Sequence, residues 1–294
     1  MVNPLKSHNK LNVMNPTTFK RRPLSLLMRA ALALLITAGG LSATFAQAPD
    51  KDAAEKYNEG LALLKSKNYE KALNVFLEAS RIASAAGDKG TASKSDSYAY
   101  RLCYNVGVGY HKDGDFAKAM QYFDKGIAME PGYYKNYKGK AAVYKAQDNE
   151  AAAMEAYIKT GEVATASGEL EERAKARAQA EGFVAKALQD KEYERVISNG
   201  NVFLKYLETA DVHYYMAHAS NQLGNYQEAL SHADKALALE TGSRASKAKI
   251  HFEKAEAHKN LAQYQLALQS YAEAAYGDFK QRAEHEIQIL AGSQ

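Results

Sequence analysis

A chain of 294 residues, 46% hydrophobic and 24% charged, is long enough to bury a continuous core, and its single cysteine excludes an intramolecular disulfide. It carries 38 basic and 34 acidic residues, net +4, but six of the basic ones (Lys6, Lys10, Lys20, Arg21, Arg22 and Arg29) lie within residues 1–46. Residues 47–294 hold 32 basic against 34 acidic residues, net −2, so the overall charge gives no ground for nucleic-acid binding.

The first element in chain order is a leader. Residues 1–29 hold those six cations and no acidic residue, ALALLITAGG comes next as a short apolar run, and SATFA ends in small residues. This order predicts a secretory signal peptide over 1–46, cleaved after Ala46. The competing expectation is a retained membrane anchor over residues 30–48, which are uncharged and near the lower length limit of a spanning helix. A mature N-terminus at Gln47 excludes that tether. No cysteine stands near the cleavage point, which argues against a lipid-anchored form.

After the polar lead-in APDKDAAEK, the chain reads as helical hairpins, and the stretch from Tyr100 to Pro131 shows the unit most clearly. Cys103, Gly107 and Tyr110 share one helical face; Lys112–Asp115 is a polar break; Ala119, Phe123 and Gly126 repeat the spacing, and Pro131 closes the segment. Small residues facing rings suit two closely packed antiparallel helices. One such hairpin cannot bury its own apolar face and needs neighbours.

Small-x2-aromatic in the first helix, Gly-x-aromatic at the turn and Ala-x3-aromatic-x2-small in the second helix resemble the tetratricopeptide repeat. Aligned on the turn aromatic, the chain gives Tyr69, Phe116, Tyr193, Tyr226 and Tyr264, with Glu150 substituting in one unit. The steps are 47, 34, 43, 33 and 38 residues, and the two long ones imply lengthened helices or loops. Unit one has Gly60 and Phe76, unit three Ala141 and Tyr157, unit six Ala255 and Tyr271; unit five has Ala217 and Ala233, and unit four has Gly200 where an aromatic is expected.

The resemblance implies an all-α fold, an α-solenoid of about six helix-turn-helix units over 47–294. The units are placed at 53–86, 100–133, 134–167, 177–209, 210–243 and 248–281, with a capping helix at 279–294 carrying Phe279, Ala283, Ile287 and Leu290 at helical spacing. No segment reads as a strand. GDKG near residue 88 is expected to turn, VATASG to begin as a loop, and Ser167 to cap the helix after it.

Catalytic chemistry is not signalled. There is no glycine-rich phosphate loop, HExxH, CxxC or GxSxG. His213 and His218 are spaced to point about 140° apart on a helix, and His251 and His258 stand about 10 Å apart along one, so neither pair suits a metal ion. The carboxylates of EGLALLKSKNYE and LEERAK read as solvated, and Cys103 as a small buried residue. No enzyme, cofactor or metal is expected, with a hydrolase using an unsignalled site as the outlying alternative.

What the family resemblance implies is a groove lined by the first helix of each repeat. Carried onto this numbering, it offers Tyr57, Leu61 and Leu64 in unit one, Arg101, Tyr104 and His111 in unit two, and Lys135, Lys138 and Lys145 in unit three. An apolar start followed by cations suits an extended peptide with acidic groups. The family's chaperone-tail clamp is matched by Asn105 and Lys135, whereas Tyr57, Leu61 and Gly139 occupy its other places. The expectation is a periplasmic or secreted protein-binding adaptor or scaffold, similar to the repeat scaffolds of bacterial envelope assembly.

Overall fold

The computed structural model describes residues 49–292, all within one compact unit that runs from Gln47 to Gln294. The signal peptide expected over 1–46, the alternative anchor over 30–48 and the end of the expected cap lie outside the described residues. Among these there are thirteen α-helices, one 3-10 turn and no strand. The helices come as pairs: α1 (Pro49–Lys65) with α2 (Tyr69–Ala86), α3 (Lys89–Lys112) with α4 (Phe116–Met129), and α5 (Tyr134–Ala146) with α6 (Glu150–Ala166). Then come α7 (Leu170–Gln189) with α8 (Tyr193–Leu204), α9 (Ala210–Gln222) with α10 (Tyr226–Leu239), and α11 (Arg244–Asn260) with α12 (Tyr264–Ala274). The 3-10 turn Gly277–Phe279 leads into α13 (Lys280–Gly292). Each helix packs on the next, so the pairs stack as an α-solenoid with a terminal helix.

Every second helix opens at the turn position picked out in the sequence: Tyr69, Phe116, Glu150, Tyr193, Tyr226 and Tyr264. Two residues earlier, each hairpin enters the left-handed backbone region, at Lys67 (φ 59°), Gly114 (79°), Asp148 (55°), Lys191 (60°), Gly224 (77°) and Ala262 (58°). The next amide then reaches back five residues, as Asn68 N does to the Leu63 carbonyl (2.9 Å) and Asn225 N to the Ser220 carbonyl (2.8 Å). That bond satisfies an orphan carbonyl at the end of the first helix and reverses the chain. Glycine takes the position freely; each of the four residues with a side chain carries about 1–2 kcal/mol there.

The core is made by rings set into glycine gaps. A Cβ on Gly60 would come within 2.8 Å of the Phe76 ring and one on Gly107 within 2.6 Å of the Phe123 ring, and Gly139 of the next hairpin meets the other contact of Phe123. Phe123 therefore joins α3, α4 and α5, and it is fully buried. Cys103 is fully buried too, and desolvation pushes its thiol up to about 11, so it serves as packing volume and not as a nucleophile. Where unit four lacks its aromatic, Met216 of α9 fills the space over Gly200. Where unit three lacks its turn aromatic, the Glu150 carboxylate accepts from Arg195 Nε (3.1 Å) and Asn199 Nδ2 (2.7 Å).

The long steps are taken up by helix, not loop. α3 has 24 residues and α7 has 20, beginning at Lys89 and Leu170, ahead of the unit starts at 100 and 177. The turn expected at GDKG shortens to Gly87 and Asp88: Gly87 (φ 82°) ends α2, and the Asp88 carboxylate accepts from Thr91 N at 3.0 Å to start α3. Two expectations are corrected. VATA is helical, because α6 runs through Ala166, where Val163 and Ala164 are buried. Ser167 does not cap α7. Its hydroxyl donates backwards to the Val163 carbonyl (3.1 Å), and Glu169 holds the N-cap position without a side-chain bond.

Candidate functional site

Because the hairpins repeat, their first helices fall on one side and touch in series: α1 with α3, α3 with α5, α7 with α9, and α9 with α11. Between α5 and α7 the Lys138–Glu172 ion pair (2.8 Å) crosses a cavity of about 230 Å³. These helices make a continuous wall, and the residues expected in a groove divide on it into two groups.

The first group is used internally. The Tyr57 ring meets Phe76 edge-on at 5.7 Å and Tyr98 at 6.0 Å, and Leu61 and Leu64 pack half-buried against the same core. The Tyr104 ring lies 6.1 Å from Phe123. His111 reaches the Ala142 carbonyl through Nε2 at 3.3 Å, so that nitrogen carries the proton. Lys138 is taken by Glu172, a member of the LEERAK stretch that is mostly buried by this contact. The second group stays open. Arg101 is exposed and braced on Tyr100, its Nε donating to the phenol at 3.3 Å. Asn105 is half-buried, Lys135 is half-buried with its ammonium 6.0 Å from the Tyr133 ring, and Lys145 is exposed at the end of α5.

Lys145 borders a cavity of about 500 Å³ between the α5–α6 turn and α7, whose lining is mainly apolar and includes Phe183 and Gly182. A further cavity of about 490 Å³ lies among α9, α11 and α13. There Glu253, 5% exposed, accepts from His218 Nδ1 (2.8 Å) and Asn221 Nδ2 (2.9 Å). The Glu253 bond holds the His218 pKa above its ordinary value against the opposing effect of burial. The Arg282 guanidinium lies 4.3 Å from the Phe252 ring centre.

Residues 100–133 match the sequence profile described as tetratricopeptide repeat, and the α3–α4 hairpin is the structure that this stretch adopts. Residues 100–133 are a tetratricopeptide repeat.

Part of this chain is 31% identical, over 110 residues, to the photosystem I assembly protein Ycf3 of Acaryochloris marina. The match takes in 34% of this chain and 60% of that relative's length. Among solved structures, a tetratricopeptide repeat protein from Parabacteroides merdae is similar over 82% of this chain and 99% of its own, at 10% identity and a TM-score of 0.33. YrrB, described as a TPR protein with an unusual peptide-binding site, is similar over 66% of this chain and 91% of its own, at 13% identity and a TM-score of 0.33. At these scores neither neighbour bears on what this chain binds.

The stack of hairpins also brings together groups that sequence spacing leaves apart. His213 meets neither His218 nor a metal cluster: its Nδ1 lies 2.9 Å from Nδ1 of His232 on α10. Burial lowers the pKa of both, that of His232 to about 4, so this pair is neutral at pH 7 and shares one N–H. Glu70, from the stretch read as solvated, accepts from Tyr122 (2.5 Å) and Tyr110 (3.1 Å) and ties α2 to the second hairpin. Among the described residues no group of three or more His, Cys, Asp or Glu is placed to hold a metal, and no helix is long and apolar enough to cross a membrane. The Glu253 site had one usable signal: His218, Asn221, Phe252 and Glu256 lie on first helices, as do the wall residues of the first three units.

Proposed function

We propose that this protein is a non-enzymatic adaptor or scaffold of the bacterial cell envelope, exported by residues 1–46, which grips an extended segment of a partner protein along the first-helix wall. The fold supports a protein–protein interaction role in general. What supports this wall in particular is that it keeps Arg101 and Lys145 exposed, with no carboxylate within ion-pair distance of either among the described residues, on helices that are otherwise fixed by packing. A stacked-repeat surface with unpaired cations suits a partner that brings its own carboxylates.

The double change Arg101→Glu and Lys145→Glu tests this. It is a better choice than one including Lys138, whose loss would remove the ion pair that joins α5 to α7 and leave Glu172 with Lys175 alone. The variant is expected to retain its melting temperature and to recover roughly tenfold less partner from the envelope fraction, the equivalent of ~1.4 kcal/mol. Undiminished recovery of the same partners would remove these cations from the binding surface.

A further inference from the structure

The cavity beside Lys145 exists because unit three departs from its repeat. In four of the other units the residue that opens the second helix is tyrosine, and in unit two it is Phe116, packed against His111 with ring centres 5.6 Å apart. Unit three has Glu150, whose carboxylate turns to Arg195 and Asn199 on α8. The space left opens onto α7 and is floored by Phe183 and by Gly182.

Gly182 sits within the 20-residue helix α7, where glycine costs helix stability and no turn requires it. Its packing does not require it either: a Cβ there would meet nothing within 4 Å, in contrast to Gly107 and Gly139, which are filled by Phe123. Glycine at this point keeps the floor of the cavity open. On the rim, Lys186 is paired with Asp190 and Arg195 with Glu150 and Glu192; Asp148 and Lys145 are in no ion pair with one another or with any other described residue, so Lys145 is the cation left uncommitted.

We propose that this cavity receives a large apolar side chain of the partner segment, with a carboxylate next to that side chain meeting Lys145. This seat presupposes that the first-helix wall is the binding surface and names one place on it. A cavity of about 500 Å³ with an apolar side formed by Ala178, Gly182 and Phe183, beside one uncommitted ammonium, gives both parts of the recognition: the apolar side takes the hydrocarbon, and the cation fixes which residue lies beside it.

The test is steric. Gly182→Phe fills the floor without meeting any neighbouring atom at Cβ and replaces a helix glycine, so the folded state is kept or strengthened. A library of random decapeptides is selected on the full chain, and the enriched peptides are then measured on wild type, Gly182→Phe, Lys145→Gln and Arg101→Glu. The expected result is enrichment of an aromatic or large aliphatic residue beside Asp or Glu, with binding to Gly182→Phe weakened about tenfold or more. Lys145→Gln is expected to weaken the acidic peptides and to leave their Asn or Gln counterparts unchanged. Peptides that bind Gly182→Phe as tightly as wild type, yet are lost on Arg101→Glu, would overturn this seat and leave the wall standing. A library that yields no binder would overturn both. A dimer of the full chain that dissociates on Gly182→Phe would assign the cavity to a second copy and overturn the proposal.

Discussion

Phe123→Ala is expected to destabilise the protein by about 3–5 kcal/mol, read as a lowered urea midpoint followed by circular dichroism. The ring is fully buried, and its place is unusual even for a core residue. It comes from α4 but is received by glycines on two other helices, Gly107 of α3 and Gly139 of α5. Truncation therefore opens a void within the second hairpin and at its junction with the third. In a stack whose stability is a sum of repeat and interface contributions, losing both at one point also weakens cooperation between the two halves. Phe76→Ala tests the same role one hairpin earlier, where the ring faces Gly60 and stacks on Tyr98 at 4.8 Å. Unchanged midpoints in both would show that these rings are not the pegs of the repeat.

The converse change, Gly107→Leu, is expected to cost about 1–3 kcal/mol by overpacking. The first added atom already lies 2.6 Å from Phe123 Cε1, closer than carbon atoms approach, so either the ring or α3 has to move. The ring cannot swing away easily, because Gly139 stands at its other side. The two changes should consequently be strongly non-additive: in the Gly107→Leu background, Phe123→Ala relieves the clash and costs less than it does alone. Simple addition of the two losses would mean that Gly107 and Phe123 do not share one space.

The register of this fold was legible because each hairpin repeats a physical requirement. A helix must end and the chain must reverse through a left-handed residue, and in five of the six hairpins an aromatic opens the return helix, so Tyr69, Phe116, Tyr193, Tyr226 and Tyr264 mark the second helices correctly. Even Glu150 was found by position, although its chemistry differs from the others. The extensions of α3 and α7 were harder to see. Ser80–Ser97 and the stretch around Ser167 are built from small and polar residues that suit both loops and close helix packing, and burial of Ala92, Ser95, Val163 and Ala164 decides for helix.

The candidate wall was legible in its helices more than in its side chains. Spacing assigns Tyr57, Leu61 and Leu64 to the first helix of unit one, but not whether they face solvent or Phe76 and Tyr98; the neighbouring hairpin decides, and it covers them. Lys138 and Glu172 are far apart in sequence and adjacent in space, as are His218 and Glu253. No local pattern announces such pairs. Gly182 carries a weak signal of its own, a helix glycine with no ring opposite it, which is visible only once the register is known.

Photo-crosslinking in producing cells tests most directly whether the first-helix wall is where a partner lies. A photoreactive phenylalanine derivative is placed at Arg101 or Lys145 on the wall, and at Gln121 or Ser231, which are exposed on second helices. The expected result is a common crosslinked partner from both wall positions and none from the second-helix positions. Crosslinks arising only from Gln121 and Ser231 would place the partner on the second helices and contradict the first-helix wall as the binding surface.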